Sequence, residues 1–212
     1  MIILGLTSSG LLFYFNYQRR KYYEAMAKQV GTVGTPSIGG PYTLITHDAT
    51  PFASDALKGT QMQLLYFGFI HCPDICPEEL DKVGKVMKLL DARNMGDVVL
   101  PVFITCDPQR DGPAELKEYL KGTPFFIFIV DFDGRIVGLT GAYEQVKQVA
   151  KLFRVYFRPA STSSTGTAAD IDYLLDHSIF LYLMDKEGNF VQVFGKDATP
   201  NDIVQKILEI NK

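Results

Sequence analysis

The sequence predicts an α/β domain, and three observations carry that expectation. Residues 64–70 form an unbroken apolar run of the kind that fills a strand buried on both faces. Leu80, Val83, Met87 and Leu90 then recur at spacings of three and four, which draws one buried stripe along a helix. A second apolar run at 98–106 repeats the strand, so strand, helix and strand follow one another as in a crossover unit. With 212 residues, 47% apolar and 21% charged, the chain can bury the core of one domain and carry an N-terminal extension. A net charge of −3 and a pI near 5.6, without clustered Lys and Arg, remove nucleic acid as a partner.

Taken in order, residues 1–17 are uncharged and mostly apolar and are closed abruptly by Arg19-Arg20-Lys21. As a helix this segment is roughly 25 Å long, slightly short of a hydrocarbon core of about 30 Å, and is expected to be a single transmembrane anchor. A secretory signal peptide competes with that reading, but the segment lacks a charged start and a small-residue cleavage site. The positive-inside rule would keep the Arg-Arg-Lys side, and with it the folded domain, in the matrix or cytoplasm, whereas redox chemistry prefers the other side. Residues 18–39 read as a charged stalk and a Gly, Thr and Pro linker, and residues 40–212 as the folded domain.

Within that domain, residues 42–46 and a short run near Phe52 are expected to form a hairpin around His47-Asp48-Ala49-Thr50. The strand at 64–70 leads into a helix from about Pro77 to Arg93. The strand at 98–106 is followed by a helix at 113–121, a short strand at 136–139 and a helix at 143–157 with Val146, Val149 and Phe153 on one face. Residues 161–169 are a Ser, Thr, Gly and Ala loop. Strands at 178–184 and 190–194 flank the turn Lys186-Glu187-Gly188-Asn189, and Thr199 with Pro200 caps a last helix carrying Ile203, Ile207 and Ile210. This order is that of a thioredoxin-like domain with an added N-terminal β-hairpin.

The chemistry concentrates at Cys72-Pro73-Asp74-Ile75-Cys76, between the first buried strand and its helix, where open α/β sheets place their sites. Three cysteines do not make a disulfide scaffold, and an odd number leaves at least one thiol free. At this spacing the two sulfurs face one way if the turn between them is helical, within reach of one metal or of each other. A helix start favours the thiolate, the form that binds metals and attacks disulfides. About a hundred residues later comes His177, in Asp-Tyr-Leu-Leu-Asp-His, in a stretch where thioredoxin-like folds carry a proline and this chain has none between Ala160 and Thr199. Two thiolates and an imidazole suit copper as Cu(I) or Cu(II), whereas structural zinc usually takes a fourth protein ligand. A Cys pair alone is a weak signal, because cysteines are common in cores, and an isolated histidine more often lies at the surface.

The block Tyr66-Phe67-Gly68-Phe69-Ile70-His71-Cys72-Pro73-Asp74-Ile75-Cys76-Pro77-Glu78-Glu79-Leu80 resembles the metal motif of the Sco family of copper proteins. Cys106-Asp107-Pro108-Gln109-Arg110-Asp111, Val137-Gly138-Leu139-Thr140-Gly141 and Asp172-Tyr173-Leu174-Leu175-Asp176-His177 are similar to further blocks of that family. The resemblance runs from about Gly39 to the C-terminus. It implies a copper chaperone for cytochrome c oxidase assembly, with Cys72, Cys76 and His177 as ligands. Copper would come from a small soluble chaperone of the mitochondrial intermembrane space and go to the copper A site of oxidase subunit II. It also implies an anchor in the mitochondrial inner membrane with the copper domain facing the intermembrane space, and leaves pairing of two copies as a homodimer open.

The remaining candidates read as structural. Asp107 and Asp111 are expected to serve a turn and a helix cap. His71 is left out of the site because adjacent strand residues point to opposite faces. His47 reads as a surface turn residue, and Cys106 as a small buried apolar one, with a third thiol ligand as the minor alternative. Residues 122–130, Gly-Thr-Pro-Phe-Phe-Ile-Phe-Ile-Val, fall where the family runs directly into Asp131-Phe132 and read as an insertion, from a retained intron or a gene-model error, with an ordinary strand as the competing account. Two rivals to the chaperone use the same pair: a thiol-disulfide oxidoreductase that reduces the subunit II cysteines with His177 dispensable, and a peroxidase-like relative, which would need an Arg beside Cys72.

Overall fold

The computed structural model describes residues 38–122, 132–157 and 179–211. The expected anchor, stalk, 161–169 loop, His177 and all but the first residue of the expected insertion lie outside them. Among the described residues no helix is long and apolar enough to cross a membrane.

The strands are β1 (Thr43–Thr46), β2 (Pro51–Ala53), β3 (Met62–Gly68), β4 (Val99–Thr105), β5 (Val137–Thr140), β6 (Leu181–Met184) and β7 (Phe190–Phe194). The helices are α1 (Ile75–Asp91), α2 (Pro113–Leu120), α3 (Tyr143–Leu152) and α4 (Pro200–Ile210). The described strands form one sheet in the order β2-β1-β5-β4-β3-β6-β7. β3, β4 and β5 run parallel, as their crossover connections require, and the hairpins β1–β2 and β6–β7 add antiparallel strands on either side. All seven residues of β3 are buried, which fits a strand covered on both faces.

The pleat of β3 divides its aromatic residues between two cores. On one face Phe67 meets Phe153 and Tyr182 with ring centroids 5.3 and 5.9 Å apart, and Tyr42 reaches the same cluster through Phe153. On the other face Tyr66, Phe103, Tyr119 and Phe132 form a row with successive centroids 6.2, 6.0 and 5.4 Å apart. Each such pair adds about 0.5–1.5 kcal/mol beyond area burial, so the strand is held to one register from both sides. The α1 stripe predicted from sequence is the buried one, widened by Val86, and α4 packs against α1.

Several boundaries differ from expectation for local reasons. β3 begins two residues early, at Met62, because the polar Gln63 is buried with its side chain accepting the Tyr42 hydroxyl at 2.8 Å. It also ends two residues early, at Gly68, so His71 and Cys72 are not strand neighbours and the alternation argument for setting His71 aside does not hold. α1 starts at Ile75 rather than near Pro77, since Asp74 is its N-cap and accepts the Ile75 N–H at 2.7 Å. α3 stops at Leu152, well short of Phe157. Arg154 takes a left-handed conformation (φ 56°), and the Val155 and Arg154 N–H groups close back on Ala150 and Lys151 in a Schellman pattern that no glycine announces. The β1–β2 hairpin and the start of α4 at Thr199 and Pro200 match the sequence reading, with Asp202 completing the cap, while β6 begins at Leu181, later than the expected 178.

Candidate functional site

The site grows from the end of β3. At Gly68 the strand yields to Phe69, still buried, and then to a turn in which the Cys72 N–H reaches back to the Phe69 carbonyl at 3.3 Å. Asp74 starts α1 two residues before Cys76, which therefore sits in the first helical turn. Between the cysteines Pro73 and Asp74 are not helical and only Ile75 belongs to α1, so the fully helical turn supposed by the spacing argument is absent. The pair is brought together because the loop folds Cys72 over the helix start, where its Sγ accepts the Cys76 N–H at 3.4 Å. A sulfur at that place takes up a first-turn N–H and faces the positive end of the helix.

The two cysteines are unequal. Cys72 is half-buried and Cys76 fully buried, and neither is in a disulfide. The Cys76 thiol donates to the Cys72 sulfur; that bond, then burial, then charge on Cys72 push Cys76 well above the ordinary thiol range. Opposing them, the buried Tyr66 hydroxyl donates to Cys76 Sγ at 3.5 Å. Cys76 is thus the member that keeps its proton, and Cys72 the one open to solvent.

Close approach of α1 to β3 depends on Gly68. A Cβ there would lie 2.8 Å from Cys76 Sγ, 2.9 Å from the Phe103 ring and 3.0 Å from the Tyr66 ring. The first turns of α1 are also tied to the loop after β7. Buried Glu79 accepts Lys82 at 2.8 Å, Lys82 donates to the Lys196 carbonyl at 3.0 Å, and Lys196 pairs with Glu78 at 3.4 Å.

Asp111 is no helix cap: Gly112 occupies the N-cap of α2, and the Asp111 side chain is buried beneath the turn that leads to Cys72. Its Oδ2 accepts the Thr105 hydroxyl at 2.6 Å and the Ile70 N–H at 3.1 Å, while Oδ1 has no hydrogen bond and lies 3.7 Å from His71 Nδ1. Burial outweighs these donors and pushes its carboxyl up to about 6. Asp107 serves the expected turn, accepting the Arg110 and Asp111 N–H groups on its carbonyl and Arg110 on its carboxylate. His47 is not a free surface residue, because its Nδ1 accepts the Gly138 N–H at 2.9 Å and binds the β1–β2 turn to β5. Cys106 is buried, and burial raises its thiol, as expected of a core residue. Among the described residues no three His, Cys, Asp or Glu side chains converge as a metal site.

Sequence reasoning thus found the pair but missed Tyr66, Gly68 and Asp111 as the groups that hold it. Tyr66 and Gly68 stood inside the motif, and only the strand period, which puts both on the face that α1 covers, could have marked them. Chemically, the arrangement offers two reduced sulfurs in mutual contact, one accessible and one fixed, at a helix start. That donor set suits a soft cation or a reversible disulfide.

Comparison with known proteins gives the same answer from sequence and from shape. The family model described as SCO1/SenC matches residues 30–212. Protein sco1 of Schizosaccharomyces pombe is 44% identical over 208 residues, covering 98% of this chain and 74% of that protein. The mitochondrial protein SCO1 of Saccharomyces cerevisiae is 41% identical over 210 residues, 98% of this chain and 66% of that one, so the chain spans about two thirds of it. Yeast Sco1 with copper bound superimposes with a TM-score of 0.69 at 45% identity, over 82% of this chain and 88% of the other.

Proposed function

The chain belongs to the SCO1/SenC family, and from that premise we propose that it is a copper chaperone that serves assembly of cytochrome c oxidase. Cys72 and Cys76 hold one copper with His177 as third ligand, and pass it to the copper A site of subunit II after taking it from a small soluble chaperone. The observation that carries this reading is the contact of two reduced sulfurs at the start of α1, with the Cys76 N–H on Cys72 Sγ at 3.4 Å. The copper-bound yeast relative supports it. In each exchange a thiol that takes up Cu(I) gives its proton to water, and the half-buried Cys72 is the ligand an incoming donor or acceptor reaches first. Three ligands leave the metal open to such exchange more readily than a closed set of four.

The mitochondrial relatives support a mitochondrial address; within it the proposal sets the chain at the inner membrane, with residues 1–17 as anchor, 18–39 as stalk and 40–212 as the domain in the intermembrane space. A second reading draws on the inequality of the pair, which also suits thiol-disulfide exchange. The Cys72 thiolate would attack a disulfide of subunit II, releasing one partner thiolate; Cys76 would then displace the second, leaving a Cys72–Cys76 disulfide and two reduced partner cysteines.

Copper stoichiometry and X-ray absorption on the reduced full chain, wild type against His177→Ala, test the choice. One copper per chain with two sulfurs and one nitrogen, lost or altered in the variant while thiol exchange persists, is the expected result. A wild-type chain that binds no copper overturns the chaperone and leaves the reductase.

A further inference from the structure

Two buried tyrosine hydroxyls lie near the thiol pair, and they differ in one respect. Tyr66, in the middle of the sheet, is fully buried and paired on both sides, with Phe103 across one ladder and Leu181 across the other. Its ring packs on Phe103, so the phenol cannot swing away, and its hydroxyl ends 3.5 Å from Cys76 Sγ. Tyr119 belongs to the same aromatic row, but its buried hydroxyl has no hydrogen-bond partner among the described residues. A buried hydroxyl ordinarily finds a partner, and the one found by Tyr66 is a site sulfur.

We propose that Tyr66 is the positioning residue of the thiol pair: its hydroxyl fixes the Cys76 sulfur and favours its reduced form, leaving Cys72 as the member through which cargo and partner thiols enter and leave. The inference deepens the function proposed above and rests on its reading of the pair as reactive. The physical reason is that a reduced sulfur, thiol or thiolate, is a better acceptor than a disulfide sulfur, and best when it carries charge. When the pair oxidises, Cys76 Sγ bonds to Cys72 Sγ, two electrons and two protons leave to the oxidant, and the donated hydrogen bond weakens. The hydroxyl therefore stabilises the dithiol relative to the disulfide. The rigid β3 ladder beneath makes Tyr66 a fixed donor rather than one that follows the sulfur.

The experiment equilibrates the full chain with glutathione and glutathione disulfide, and reads the fraction of Cys72–Cys76 disulfide by alkylation and mass spectrometry. In this exchange two glutathione thiols reduce one protein disulfide and leave as glutathione disulfide. Wild type, Tyr66→Phe and Tyr119→Phe are compared; both variants keep the ring and remove one buried hydroxyl. Tyr66→Phe is expected to move the equilibrium toward the disulfide by roughly three- to tenfold, the scale of one hydrogen bond, where tenfold is about 29.6 mV for a two-electron couple. Tyr119→Phe is expected to stay within about twofold of wild type, since its hydroxyl makes no hydrogen bond to either sulfur. A Tyr66→Phe value within about twofold of wild type, or an equal shift in Tyr119→Phe, overturns the proposal, because the effect would then be absent or would belong to the core at large. A wild-type pair that never forms the disulfide overturns the reading of the pair itself, and this inference with it.

Discussion

Gly68→Ala tests whether the approach of α1 to β3 is what builds the site. The added Cβ would stand 2.8 Å from Cys76 Sγ, 2.9 Å from the Phe103 ring and 3.0 Å from the Tyr66 ring, all three neighbours being fully buried. Ordinary carbon contacts lie at about 3.5–4.0 Å, so the sulfur must retreat by roughly 0.7–1.2 Å and the two rings must give as well. Neither ring can move alone, since Tyr66 and Phe103 are register partners in adjacent parallel strands. Any such displacement of sulfur or ring disturbs the 3.5 Å contact between the Tyr66 hydroxyl and Cys76 Sγ. Overpacking of this kind costs about 1–3 kcal/mol. Gly68 is not held at positive φ, so the whole cost is steric rather than conformational. The assay is denaturant unfolding of the full chain followed by circular dichroism, together with Cu(I) affinity by competition with a chromogenic chelator. Gly134→Ala is the control, because a Cβ there meets nothing within 4 Å. Gly68→Ala should lose about 1–3 kcal/mol of stability and about tenfold in copper affinity, with the control near wild type. A Gly68→Ala chain as stable as the control and with unchanged copper affinity would refute the claim that close approach at this glycine sets the sulfur's place.

Two further outcomes follow from burial. Asp111 has its carboxyl raised from 3.8 to about 6, chiefly by desolvation, so the native state binds its proton more tightly than the unfolded chain does. Its contribution is full below pH 3.8 and is lost as pH rises through about 6; Asp111→Asn should flatten that slope and gain on the order of 1–3 kcal/mol relative to wild type above pH 6, read from unfolding midpoints between pH 4 and 7. A slope unchanged in the variant would show that another group carries it. For the thiols, iodoacetamide on the native reduced chain should modify Cys72 first, while Cys76 and Cys106, both buried and raised, react only as the chain opens. Native labelling of Cys106 at the rate of Cys72 would contradict the core assignment.

Most of the fold was legible because burial writes itself into periodicity. The continuous apolar runs became β3 and β4, the spacing of Leu80, Val83, Met87 and Leu90 became the buried stripe of α1, and Thr199 with Pro200 opened α4. Errors arose where a polar or ordinary residue took an uncommon role. Gln63 extends a buried strand only because Tyr42 satisfies it across twenty-one positions of sequence. Arg154 ends α3 in a conformation usually marked by glycine, and Pro77 suggested a later helix start than the one Asp74 fixes.

By itself the sequence determined the alternation of strands and helices, the two sulfurs at a strand-to-helix junction and the family motif that contains them, because residue type and spacing along one chain are local properties. Only the tertiary structure decided that Cys76 is fixed and Cys72 open, that Tyr66 and Gly68 shape the space around the sulfur, and that Asp111 lies under the turn instead of capping a helix. Those outcomes depend on which atoms meet across elements, and a distance such as 3.5 Å between a β3 hydroxyl and an α1 sulfur exists only after the sheet and the helix have packed.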